Sequence, residues 1–233
     1  MRKYYWARAV ASLAAAIVAA PLSAQVNTGA PGQYVGPLGK DSELGPIPTA
    51  FAQTFRAPAG TNSLQSFSFY ITNFFGGSGL LLDASVYQFQ SDHVTGIALY
   101  NRQLTGTNST LPAGVLTLFG SVSSPLNIPL VSGTTYAMVL SAVNRYSLTP
   151  NGSSVLFGGT LDDLYPNGSL FTSFATTSGD LLASGAFVAA DAPDAAFTAT
   201  FGSAALVPEP ATIVLFGAGI VLLGAVNFRR KRG

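Results

Sequence analysis

Between residues 50 and 203 apolar side chains recur at every second position, in short runs separated by Gly, Pro, Asn and Ser. Side chains alternate across a strand but return to one face of a helix every three to four residues, so this period buries one face of a sheet. Within 63–74, Phe67, Phe69 and Ile71 share one face, and Ser66, Ser68, Tyr70 and Thr72 share the other. Gly76-Gly77-Ser78-Gly79 reads as a turn. Further strands are expected over 80–89, with Tyr87 and Phe89 on one side, over 94–100, and within 111–125. Gly133 marks a turn into 134–143, where Tyr136, Met138 and Leu140 fall together. Runs at 153–157, 181–188 and 195–201 complete the series, the last with Phe197, Ala199 and Phe201 on one side. No part of this region carries a helical stripe. Short strands separated by turn signals point to an all-β chain, a single β-sandwich over 49–203 with jelly-roll-like winding as the preferred version. Residues 25–48, rich in Gly and Pro, read as an extended lead-in able to add one edge strand.

The two ends obey different rules. Arg2, Lys3 and Arg8 precede a short apolar stretch over 9–20, and Pro21-Leu22-Ser23-Ala24 follows. This is the order of a secretory signal peptide, with the cut expected between Ala24 and Gln25. At the other end, Val207-Pro208-Glu209-Pro210 leads into residues 211–228, a run without charge, and then Arg229, Arg230, Lys231 and Arg232. A helix over that run would be about 27 Å long, enough for the hydrocarbon core of a bilayer. Pro208 and Pro210 keep the upstream segment out of the helix, because proline lacks the N–H donor and restricts its predecessor. The basic cluster acts as a cytoplasmic stop-transfer signal under the positive-inside rule.

The tail resembles the PEP-CTERM sorting signal of exopolysaccharide-producing Gram-negative bacteria. Val207 to Thr212, the glycine-containing apolar run and Arg229 to Arg232 carry the resemblance. It implies recognition by exosortase, a membrane protease/transpeptidase, and removal of the tail at an inner-membrane intermediate. The protein would then pass to the cell surface or extracellular matrix. The same motif is also labelled an ice-binding-protein C-terminal domain, which describes the tail and implies no ice binding. The secretion translocon and signal peptidase are the other implied partners, with membrane contact through the C-terminal helix. The spacing of Ala52-Gln53-Thr54-Phe55, Phe67-Ser68-Phe69-Tyr70, Val86-Tyr87 and Gly96 to Tyr100 is similar to secreted bacterial sandwich domains that precede such tails. It is also similar, more loosely, to carbohydrate-binding jelly rolls.

With both ends set aside, the formal net charge of +1 is misleading. The body keeps Lys40, Arg56, Arg102 and Arg145 against nine acids, a balance of −5. Scattered bases on an acidic body give no electrostatic footprint for nucleic acid. The chain has no cysteine. Disulfides, thiolate zinc sites and cysteine catalysis are therefore excluded, and the core must hold by burial.

Catalytic constellations are sparse. His93 is the single histidine; a Ser-His-Asp triad would need it as base. Asp92 adjoins it, but neighbours on a strand point to opposite faces, and no Gly-x-Ser-x-Gly elbow is present. Glycoside hydrolysis needs two carboxyls, and both glutamates, Glu43 and Glu209, lie outside the sandwich. An all-Asp pair drawing on Asp162-Asp163 or on Asp191 with Asp194 is possible in principle, and the same acids, in turn-rich loops, could bind calcium. Turn acids that bond the local backbone are the plainer alternative. Tyr70, Tyr87, Tyr100, Tyr146 and Tyr165 are candidates for a sugar-stacking platform, although Trp6, in the leader, is the only tryptophan. Asn108, Asn151 and Asn167 open N-x-Ser/Thr triplets that read as exposed turns.

The expectation is an exported, non-enzymatic cell-surface or exopolysaccharide-matrix protein without a cofactor. Its role would be structural or weak binding of extracellular polysaccharide. The alternatives are a secreted hydrolase and a permanently membrane-anchored surface protein.

Overall fold

The computed structural model describes residues 23–40, 46–73, 80–106, 117–119, 126–143 and 153–203. Residues 1–22 of the expected signal peptide over 1–24, the sorting motif and the apolar run 211–228 lie outside them. Among the described residues no helix is long and apolar enough to cross a membrane.

Two antiparallel sheets pack face to face. The first sheet holds β1 (Ser23–Asn27), β2 (Gln33–Lys40), β4 (Ser63–Asn73), β7 (Thr117–Phe119), β8 (Ile128–Pro129), β10 (Ser153–Gly159) and β13 (Phe197–Gly202). The second holds β3 (Ala50–Arg56), β5 (Leu80–Gln90), β6 (His93–Gly106), β9 (Thr135–Ser141), β11 (Leu170–Ser173) and β12 (Val188–Ala189). Its order is β12-β11-β3-β9-β5-β6. β4 is the spine of the first sheet. Its first half pairs with β13 and its last residues pair with β10, on the same side. β8 and β7 line the opposite side in the same end-to-end manner. β1 flanks β13 and β2 flanks β10.

Alternation accounts for which residues meet. Phe67, Phe69, Ile71, Phe157, Phe197 and Phe201 point inward from the first sheet, and Phe51, Phe55, Met138 and Leu140 from the second. Leu64 and Phe67 are three apart yet both buried. A bulge at this point of the β4–β13 ladder, between Thr200 and Phe201, resets the phase. The Phe51 and Phe157 rings stack across the interior at 4.3 Å, and Phe69 leans on Phe157 at 5.1 Å. The second sheet is apolar on both faces. Its outer face carries Ala50, Ala52, Phe89, Ala137 and Val139, covered in part by Leu181 and Phe187.

Two sequence expectations are corrected here. The expected strand over 181–188 is instead a 3-10 turn, Asp180–Leu182, followed by a loop into β12. Turn chemistry wins over the apolar pattern. The Asp180 carboxylate accepts the Thr177 N–H at 2.9 Å, and Gly185 takes a φ of 80°. The segment 25–48 supplies two edge strands rather than one, and β1 starts at Ser23, within the expected leader. Ala24 pairs with Phe201 and Gln25 with Thr200, so the chain enters the sheet beside the strand by which it leaves.

Phe157 is the ring through which Phe51 and Phe69 communicate, and it is fully buried. Phe157→Ala is expected to cost about 3–5 kcal/mol by loss of transfer energy and an unfilled cavity. Urea unfolding of the two proteins would read this directly.

Candidate functional site

Gln53 is a polar residue in an apolar strand, and it is fully buried. Its Nε2 donates to Asp194 Oδ1 at 3.0 Å and to the Thr54 carbonyl at 3.2 Å; its Oε1 accepts the Ala195 N–H at 2.7 Å. Asp194 is equally buried and accepts the Tyr165 N–H on Oδ2 at 2.7 Å. The Asp194 carbonyl accepts the Thr160 N–H at 2.9 Å. The Tyr165 hydroxyl donates to the Arg56 carbonyl at 3.0 Å. One carboxyl therefore fastens β3, the loop 160–169 and the loop 191–196 to each other. Burial pushes this carboxyl above its ordinary range. The N–H donors of Tyr165 and Gln53 pull the other way and do not overcome it.

The fastened loop is pressed onto β3. Thr54 N–H donates to the Ser169 carbonyl at 2.9 Å, and Ser169 N–H donates to Thr54 Oγ1 at 2.8 Å. Gly168 lies against the Thr54 carbonyl oxygen so closely that a Cβ would overlap it. That approach is the physical reason for glycine at this position.

Between this loop, the end of β3 and the β5–β6 turn lies an open cleft of about 400 Å³ on the outer face of the second sheet. Arg56 and Thr135 form one end, with Arg56 Nε donating to Thr135 Oγ1 at 3.3 Å. Phe89 and Phe171, with ring centres 5.0 Å apart, supply an apolar patch. Ser91, Asn167 and Ser169 bring hydroxyls and an amide. Among the described residues no carboxylate is seen paired with the Arg56 guanidinium. A second hollow, between Pro37, Ile47, Phe174 and Val188, is largely apolar and gathers no chemistry.

The sequence candidates distribute as follows. Asp92 and His93 do meet: Nδ1 lies 2.9 Å from Oδ1. The opposite-face argument fails because Asp92 sits in the two-residue turn Ser91-Asp92, where Ser91 has a φ of 54°. The Ser184 hydroxyl approaches Asp92 at 3.5 Å. The order is therefore Ser-Asp-His with the acid in the middle, and no base touches the serine. Bonds from His93 and the Gly185 N–H hold the Asp92 carboxyl below its ordinary range. The Asp92 carbonyl also accepts the Phe187 N–H at 2.8 Å. The role visible here is to moor the 184–187 loop.

Of the calcium candidates, Asp162, Asp163 and Asp191 are exposed, while both Asp194 oxygens already face N–H donors. Among the described residues no group of three or more His, Asp or Glu gathers to hold a metal. The tyrosines do not form a platform. Tyr165 is in the core against Phe197, and Tyr100 meets Phe67 edge-on inside the sandwich. Tyr70 and Tyr87 are half-buried on different sheets, and Tyr146 lies outside the described residues. Asn167 is an exposed turn residue as expected; Asn108 and Asn151 lie outside the described residues. The cleft at Arg56 contains none of the candidate tyrosines. Its only sequence signal was that Arg56 is one of four bases in the body.

Residues 206–231 match the family model of the PEP-CTERM protein-sorting motif. The chain carries a PEP-CTERM protein-sorting motif at residues 206–231. The motif implies export and cell-surface sorting in Gram-negative bacteria, with exosortase as the processing partner. The match includes Val207, Pro208, Glu209 and Pro210 and covers the tail, not the sandwich. No curated protein and no solved structure matches the chain.

Asp194→Asn must present an amide N–H₂ to an N–H donor, leaving a buried bond unmade, and is expected to cost about 1–3 kcal/mol. The native wild type holds the Asp194 proton more tightly than the unfolded chain. Its stabilising contribution is thus complete below 3.8 and is lost as pH rises through the raised native value. Urea unfolding across that window should show this slope in the wild type and its absence in Asp194→Asn.

Gly168→Ala forces the loop off Thr54. It is expected to lower stability by about 1–3 kcal/mol through overlap and lost bonds. A weakened exchange protection of the Ser169 amide would localise the effect.

Proposed function

We propose that this PEP-CTERM protein is a non-enzymatic component of the cell surface or exopolysaccharide matrix, and that its sandwich binds extracellular polysaccharide weakly. The observation that carries the reading is the cleft at Arg56. It combines hydroxyls, an amide, a guanidinium and two rings on a frame fixed by buried bonds. A sugar offers the complementary set: hydroxyls that bond polar edges and C–H faces that lie on rings. Preorganised groups bind with less ordering cost, so a small cleft suffices for weak affinity. The repeated passage of the chain between the two sheets supports jelly-roll-like winding.

Delivery follows from the ends. The leader starts export through the translocon and signal peptidase removes it. The apolar run 211–228 halts translocation with Arg229 to Arg232 in the cytoplasm. Pro208-Glu209-Pro210 is then presented to exosortase as an extended segment, since prolines at both sides keep it out of a helix. No cofactor is part of this reading.

A secreted hydrolase is the rival that one observation favours, the Ser184, Asp92 and His93 cluster. It lacks a base on the serine, which supports the non-enzymatic reading.

The test is mass spectrometry of both mature ends from the native host, together with co-sedimentation of the released protein with the host polysaccharide. A C-terminus within Val207 to Pro210 that depends on exosortase, with retention on polysaccharide, is the expected result. An intact Arg229 to Arg232 end in the membrane fraction would make the protein a permanent anchor. Polysaccharide breakdown that disappears in His93→Ala would establish the hydrolase.

A further inference from the structure

We propose that the Arg56 cleft selects saccharides that carry a carboxylate, such as uronic acid units, over neutral ones. The inference rests on the glycan-binding reading above and names the ligand class of the same site.

Arg56 is the last residue of β3, and its side chain is exposed. Two bonds fix it. Its carbonyl accepts the Tyr165 hydroxyl, and its Nε donates to Thr135 Oγ1. Nε is thereby occupied, Arg56 lines the cleft, and no carboxylate among the described residues is seen paired with its two terminal nitrogens. A guanidinium edge is matched in shape and charge by a carboxylate, which takes two parallel N–H bonds. A neutral sugar would leave that edge half used. Asn167 and Ser91 stand on the rim for ring hydroxyls, with Phe171 and Phe89 behind them for a sugar face.

Charge arithmetic decides between carboxylate and phosphate. The body carries −5, and Arg56 is the one cation lining the cleft. At the contact, one positive charge neutralises the single carboxylate of one sugar unit, whereas a doubly charged phosphate monoester would stay half unmatched. Beyond about 8 Å the body's charge is screened at physiological salt, so the contact itself governs selection.

The test measures binding of the mature protein, recovered from its host, to oligogalacturonate, to a neutral galactose oligomer of equal length, and to free galacturonic acid. Each is compared for wild type, Arg56→Gln, Arg56→Lys and Arg102→Gln, the last an exposed base on β6 away from the cleft. The expected result is preference for oligogalacturonate, weakened by raised salt and about tenfold weaker in Arg56→Gln, as a charge-assisted hydrogen-bond pair implies. Arg56→Lys should retain part of the binding and Arg102→Gln all of it.

Equal binding of both oligomers, unaffected by Arg56→Gln, would overturn the carboxylate selection while leaving a glycan-binding protein. Binding of neither oligomer would remove both readings. Equal loss in Arg56→Gln and Arg102→Gln would mean diffuse charge attraction and would overturn the site. Free galacturonic acid binding as tightly as the oligomer would replace the polysaccharide with a small sugar acid as the source of the carboxylate.

Discussion

Gln53 and Asp194 meet inside the sandwich at 3.0 Å, and the geometry of the outer cleft depends on that contact. An acid in an apolar interior is costly unless its oxygens are bonded. Here they take bonds from Gln53 on β3 and from the Tyr165 N–H, and Gln53 in turn accepts the Ala195 N–H, so three stretches of chain are joined. Each donor is satisfied only when the others are in place. The network thus couples two long loops to one strand and limits where residues 165–169 can lie.

The consequence reaches the surface in two steps. Tyr165 holds the end of β3 through the Arg56 carbonyl, and Thr54 holds Ser169 from both sides. Asn167 and Ser169 are then set opposite Arg56, with Tyr165, packed against Phe197 in the core, as the link between core and cleft. The core does a different job. Phe51, Phe157 and Phe69 lock one sheet on the other, and with no cysteine in the chain that burial stands where secreted domains of similar size often use disulfides. Arg56 itself is exposed at the end of β3, so the cleft can be altered there with the core left intact.

The placement of the ends matters for delivery. Ser23 faces Gly202 across the β1–β13 ladder, so the first described strand begins beside the end of the last, the strand that precedes the sorting motif. Only residues 203–206 separate β13 from Val207. At no more than about 3.6 Å per extended residue, the motif begins within about 15 Å of the folded domain.

The sequence alone determined the all-β class, most strand positions and the sorting motif. Alternation in 63–74 and 195–201 depends on the fixed two-residue period of a strand, and the tail motif is recognised as a contiguous string. It misjudged 181–188, where apolar residues sit in a chain whose local bonds favour turns. It also misread Asp92 and His93, where one residue of turn placed both side chains on the same side. Asp194 was visible only as a loop acid, because nothing local announces a buried partner 141 residues away. Only the tertiary structure brought Arg56 beside Asn167 and Phe89, since those residues share no local pattern. Their meeting is fixed by sheet order and by a hydrogen-bond network whose members are distant in sequence.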